Sequence, residues 1–137
     1  MCILKRFMFI TLIAIAASSC MGVESVPVEA AMVRVTNNCW NGDPNYPLVD
    51  HTDTSYIFVD RHSACISADG EVAVIVLSVR DYSFGKETIT YFFKEQYEDL
   101  MWRVEYHNWR GQWNKYTSHT NPAIKRIYDT AKAAVGR

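Results

Sequence analysis

The stretch "EVAVIVLSVRDY" (71–82) decides the fold. Its middle, Val72 to Leu77, is apolar at every position. A run of this length, rich in β-branched residues, predicts a central strand covered on both faces. "ADG" (68–70) precedes it as a turn, and "SFGK" (83–86) follows it as another. Such a strand needs neighbours on both edges and packing above and below. The flanking sequence has to supply them.

Upstream, "SYIFVD" (55–60) and "SACIS" (63–67) are β-rich runs joined at Asp60-Arg61-His62. Downstream, "ETITYFFKEQY" (87–97) alternates weakly and "DLMWRVEYHNW" (99–109) alternates well. In the latter Trp102, Val104 and Tyr106 share one face, and Arg103, Glu105 and His107 the other. "RG" (110–111) reads as a turn, with "QWNKYT" (112–117) as a last short strand. "MVRVT" (32–36) adds one more strand, while residues 37–54, broken by Asn, Gly, Asp and Pro, read as a long surface loop. The period then changes. Asn121 can cap a helix with Pro122 at its first position. Ile124, Ile127, Tyr128, Ala131, Ala134 and Val135 fall on one stripe. The expected fold is α+β: an antiparallel meander sheet of five to six strands with one C-terminal helix packed on it.

The N-terminus reads as an export signal. Lys5 and Arg6 precede the apolar run Phe7 to Ala17, which is far short of the about 20 residues that span a bilayer. Two cut sites compete. Ala17-Ser18-Ser19-Cys20 resembles a lipobox, which would make Cys20 the lipidation candidate and leave a tether up to the domain. Val28-Glu29-Ala30 offers small or compact residues before a cut after Ala30, with Pro27 just upstream. Residues 1–30 are thus the signal with its alternative tether, and residues 31–137 a single α+β domain. The expected location is exported: periplasm, outer envelope or extracellular, with a lipid anchor on the first reading.

The chain carries 14 Lys and Arg against 15 Asp and Glu, a net charge of −1. That balance gives no basic excess for nucleic acid or an anionic membrane. A membrane is reached only through an N-terminal lipid. Export leaves Cys39 and Cys65, an even pair in an oxidising compartment, and predicts one disulfide worth about 3–4 kcal/mol. Two separate buried thiols are the other reading. With no CxxC, the pair lacks zinc-ligand spacing.

The string "YIFVDRHSACIS", the long β-run, "ITYFFKEQY", "MWRVEY" and a closing helix resemble small exported bacterial proteins of the surface-adhesin protein E type. They are also similar to secreted proteins of anaerobic bacteria with the same Tyr–Ile–x–x–Asp strand. The resemblance covers about residues 32–136. It implies an envelope-facing β-rich module that binds host or envelope components. The adhesin type places its cysteines late in the domain, so neither the disulfide nor any functional residue carries over.

Catalytic signatures are missing from the sequence. There is no G-x-S-x-G, no phosphate-cradling glycine loop and no helical His pair of zincin spacing. Ser63 beside His62 is a neighbour in sequence, and adjacent strand residues point to opposite faces unless a bulge intervenes. Glu95, Glu98 and Asp99 cluster as the ends of a hairpin do. No catalytic residue, metal or cofactor is expected. The aromatics are more informative. Core and cross-strand pairing accounts for most of them. Trp40 and Tyr46 in the loop, and Trp109 and Trp113 flanking "RGQ", are the binding candidates. The expected function is a non-catalytic, exported binding module that contacts a protein or glycan ligand. A small hydrolase or inhibitor and a purely structural envelope protein are the alternatives. An exposed aromatic patch favours binding, convergent carboxylates in a cleft favour an enzyme, and a featureless polar surface favours the structural role.

Overall fold

The computed structural model describes residues 33–80 and 86–136. The export signal, both cut sites, Cys20 and most of the 83–86 turn lie outside these residues. The elements are β1 (Val35–Thr36), β2 (Cys39–Trp40), β3 (Leu48–His51), β4 (Ser55–Ile66), β5 (Val72–Arg80), β6 (Lys86–Gln96), β7 (Asp99–Tyr106), β8 (Trp109–Arg110), β9 (Asn114–Lys115) and α1 (Pro122–Val135). Strands β3 to β8 pair in chain order, every pairing antiparallel, and β9 joins β7 beside β8. The α+β meander with one C-terminal helix is therefore present. Its sheet has seven strands because two of them, β8 and β9, are two-residue pieces on one edge of β7.

The central run behaves as its composition requires. β5 lies between β4 and β6. Val74 and Val76 enter one core with Val49, Val59, Phe93 and the helix residues Ile124, Ile127, Tyr128 and Ala131. Leu77 and Val79 enter a second core with Phe58, against which Val35, Trp40, Tyr46 and Leu48 pack. The two cores lie on opposite faces because strand side chains alternate. Phe58 and Phe93 are fully buried, one on each side, and each burial stabilises by about 2–3 kcal/mol.

The helix starts where Asn121 Oδ1 accepts from Ala123 N at 2.9 Å. Gly136 N closes it by donating to Lys132 O at 3.2 Å. Arg126 Nε donates to Val49 O at 2.7 Å, which ties the helix to β3. Tight turns use residues that tolerate positive φ. Asn37–Asn38 join β1 to β2, and Tyr97–Glu98 join β6 to β7, all four with φ between 52° and 68°.

Four expectations change. Residues 37–54 are not one loop, since they hold β2 and β3, and Leu48 N donates to Asn38 O at 2.8 Å. "SYIFVD" and "SACIS" belong to one long strand with a bulge between Asp60 and Cys65. There Ser63 Oγ donates to Asp60 O and accepts from Ile75 N, so the hydroxyl fills the gap in the ladder. The last hairpin turns at His107–Asn108, since Tyr106 pairs Trp109, and "RG" does not reverse the chain. Lastly, Cys39 and Cys65 are both free. Cys39 bridges to Pro47, whose carbonyl accepts from Val59 N. Val59 and Cys65 are opposite Val76 and Ala73, three residues apart on β5, or roughly 10 Å. A disulfide needs Cα atoms within about 7 Å.

Candidate binding face

The helix packs over β3, β4 and β5. It reaches β6 through Tyr128, whose ring meets Phe93 at 5.3 Å and whose hydroxyl donates to Glu95 at 2.5 Å. On the same face β6 to β8 carry Tyr91 and Trp102, which pack against the helix core, and then Ile89, Val104, Tyr106 and Trp109. Register places them together: Ile89 is opposite the core residue Val76, Tyr91 opposite Val104, Phe93 opposite Trp102, and Tyr106 opposite Trp109. Tyr91 and Trp102 lie 6.4 Å apart in nearly parallel planes. Burial pushes the Tyr91 phenol above its ordinary pKa. Trp109 is 61% exposed. Its six-membered ring is laid against Gly111, where an added Cβ would come within 2.9 Å of it. Part of the ring is thus covered by main chain, and most of the side chain stays open to solvent. Among the described residues the other large hydrophobics left this exposed are Ile66 at the end of β4 and Tyr97 in the β6–β7 turn.

The opposite face of the same strands is closed by a different device. Arg103 is 3% exposed. Its guanidinium lies 4.0 Å from the Phe92 ring centroid and 5.1 Å from that of Trp113. It donates to Glu105, and to Glu71 Oε2 at 3.5 Å. Its Nε has no partner. Arg110 Nε reaches Glu105 at 3.3 Å, and Lys94 sits 4.4 Å over Trp113. The charges are thus paired and capped by rings. Each desolvated cation–ring contact is worth about 2 kcal/mol.

The four binding candidates do not form one surface. Trp40 stacks on Phe58 at 5.6 Å and meets Tyr46 edge-on at 5.8 Å, so both pack the second core. Trp113 covers Arg103, also on that side. Trp109 stands on the helix side beside Tyr106. The reading of Trp102, Val104 and Tyr106 as one face agrees with the register. Tyr91 joins them, and the signal for it was the Ile89, Tyr91, Phe93 spacing inside a weakly alternating run. Arg103, grouped with the polar face, is instead buried, because Phe92 beside it and Trp113 above it exclude water.

A cleft of about 290 Å³ lies where α1 meets β6, lined by Gly70, Val72, Phe93, Lys94, Glu95, Tyr128 and Lys132. Lys132 Nζ donates to Glu95 at 2.9 Å and to the Tyr128 oxygen at 3.0 Å. Hydrogen bonds from Tyr128 and then Lys132 hold the Glu95 carboxyl below its ordinary value. Bonding to Tyr128 first, and to Glu95, raises Lys132. Burial, then Glu95, raises Tyr128. Each shift reinforces the charge state the group already has at neutral pH. That is the signature of a clamp, whereas an acid–base pair needs values poised near the working pH.

Among the described residues no group of three or more metal-ligand side chains converges. No helix among them is long and apolar enough to cross a membrane. Compared with protein-family models, with curated proteins and with solved structures, the chain matches none.

Proposed function

We propose that this protein is an exported, non-catalytic binding module that holds a protein or surface polymer on the open aromatic half of its sheet. The observation that carries this reading is the strip of Val104, Tyr106 and Trp109 beside the helix-covered core, with Trp109 61% exposed. Trp109 is mostly exposed there, whereas Tyr91 and Trp102 are half-buried and pack against the helix core. A patch of this kind is costly for solubility unless something covers it. Export is supported by the basic, apolar and small-residue pattern of residues 1–30 and by the resemblance to envelope-facing proteins.

The test uses the full chain and cell-envelope fragments carrying their surface polymers and proteins. Sedimentation with the fragments should fall for Trp109→Ala and Tyr106→Ala and persist for Lys125→Ala on the outer helix face. Retention unchanged by the two aromatic variants would remove the reading.

A further inference from the structure

We infer that the outer edge of β4, just past its bulge, pairs with the same edge of a second copy of this chain, and that a Cys65–Cys65 disulfide locks the pair. The edge itself is the first observation. β3 pairs with β4 over Tyr56 to Phe58, and the chain before β3 extends that cover as far as Arg61, whose main-chain N–H donates to Asn45 O. Among the described residues no strand pairs with the outer side of Ala64 to Ile66. Ser67 N donates to Glu71 O, so the alternation of an antiparallel ladder makes Cys65 and Ala73 the next bonded pair. The main-chain groups of Cys65 therefore turn inward to β5, and those of Ala64 and Ile66 turn outward. Ile66 is 55% exposed, and Cys65 beside it is exposed as well.

The sequence of this edge names its occupant. Ser63-Ala64-Cys65-Ile66-Ser67 holds no charge and no proline, the usual guards of an edge strand. It also complements itself when reversed about Cys65. Two copies paired antiparallel on a twofold axis at Cys65 set Ala64 of one against Ile66 of the other, a small side chain against a large one. Each of these residues then meets the N–H and C=O of its opposite. Cys65 faces Cys65 at a position without main-chain bonds between the two strands. Cα atoms there lie about 4.5 Å apart, at the short end of the disulfide range. The bulge between Asp60 and Cys65 ends the flat edge and so fixes the register. A twofold contact closes on itself, so this one stops at a dimer.

The thiol chemistry agrees. Cys39 lies too far away to bond Cys65, which leaves Cys65 for an intermolecular partner. By register Cys65 shares the face of Ala73, Phe92 and Arg103, whereas Ala64, Val72 and Val74 face the helix, so α1 does not stand over the bridge. Joining two Cys65 side chains forms one S–S bond and breaks two S–H bonds. The two electrons and two protons pass to a disulfide oxidant of the exporting compartment, which leaves as a dithiol. The bridge thus rests on the reading of this protein as exported, because a reducing compartment keeps thiols unbonded. The pairing edge does not rest on it.

Oxidation of the full chain by oxidised glutathione, followed on non-reducing gels, provides the test. The mass should double, and a digest of the doubled band should contain the Cys65 peptide linked to itself. Cys39→Ser should keep this product and Cys65→Ser should remove it. Ile66→Pro takes away an outward N–H and keeps the thiol. It should lower the yield roughly tenfold, the loss of one main-chain bond per copy, with circular dichroism unaltered. Ile66→Lys keeps every N–H but adds the charge that guards natural edges, and should lower the yield as well. An undiminished yield from both Ile66 variants would mean chance collision of thiols and overturns the inference. So does a monomer that carries glutathione at Cys65, a bridge from Cys65 to Cys39, or a dimer joined only through Cys2 or Cys20. The export reading has its own arm, in which the producing cells are quenched with an alkylating reagent before lysis. Cys65 found bridged there supports both readings. Cys65 found alkylated there, while the purified chain still forms the Ile66-dependent dimer, removes export and sustains the pairing edge.

Discussion

The same sheet is sealed at one end and open at the other. Over β3 to β5 the helix packs valines, isoleucines and Tyr128 into a dry core. Over β6 to β8 the same face carries larger rings that remain partly in solvent. The difference follows from dimensions. A helix with its side chains is about 10 Å wide. Six strands in order span roughly 24 Å. One helix cannot cover them all, so either the uncovered strands turn polar or their apolar face has another use. These strands stay aromatic.

The comparison can be broken by truncating one ring on each side. Phe93, fully buried against Tyr128, should lose about 3–5 kcal/mol of unfolding free energy as Phe93→Ala, from lost transfer energy and the cavity left behind. Trp109→Ala should cost under about 1 kcal/mol, the scale of one cross-strand pair. Urea denaturation measures both. Comparable losses would mean that the open half is also structural.

A second comparison lies between the two faces of β6 and β7. One presents uncharged rings, and the other buries an arginine between rings. Arg103→Met removes the cation and leaves Glu71 buried beside an apolar side chain. We expect a loss of about 3 kcal/mol, the cost of stranding one member of a buried ion pair. Adding Glu71→Gln to that variant should return part of it. A single substitution without effect would place Arg103 in solvent and make both faces of these strands alike.

The architecture was legible because its signals are local. The apolar run at 72–77 demanded a two-sided strand, and Asn121-Pro122 with the stripe from Ile124 to Ala131 demanded a helix facing it. The site was legible in part. Alternation put Trp102, Val104 and Tyr106 on one face, but nothing local says how far the helix extends over that face. The partial burial of Tyr91 and the exposure of Trp109 are tertiary outcomes. Arg103 was unreadable for the same reason, since its polarity implied water and only the register with Phe92 and the return of Trp113 exclude it. The cysteine pair misled because parity and compartment carry no distance. Asn37–Asn38 was a readable turn, hidden within a segment whose Pro and Gly content suggested a loop throughout.

The boundary between the two halves offers the mildest test. Glu95 of β6 joins the helix through Tyr128 and Lys132, so this contact fastens the edge of the sealed region. Its carboxyl is held below the ordinary 4.5, so the folded state binds its proton less readily than the unfolded chain does. The stability this gives is complete above 4.5 and is lost as pH falls through the lower folded value. Lys132 and Tyr128 are raised, so their contributions are complete at neutral pH and are lost only in strong alkali, above their ordinary values of 10.5 and 10.0. Glu95→Gln should therefore lower the melting temperature slightly at pH 7 and leave it nearly unchanged near pH 3. The wild-type and variant curves should converge as acid removes from the wild type the charge the variant never had. Curves that stay parallel down to pH 3 would show that the carboxylate does not hold the helix edge, and that the sealed half ends with Phe93.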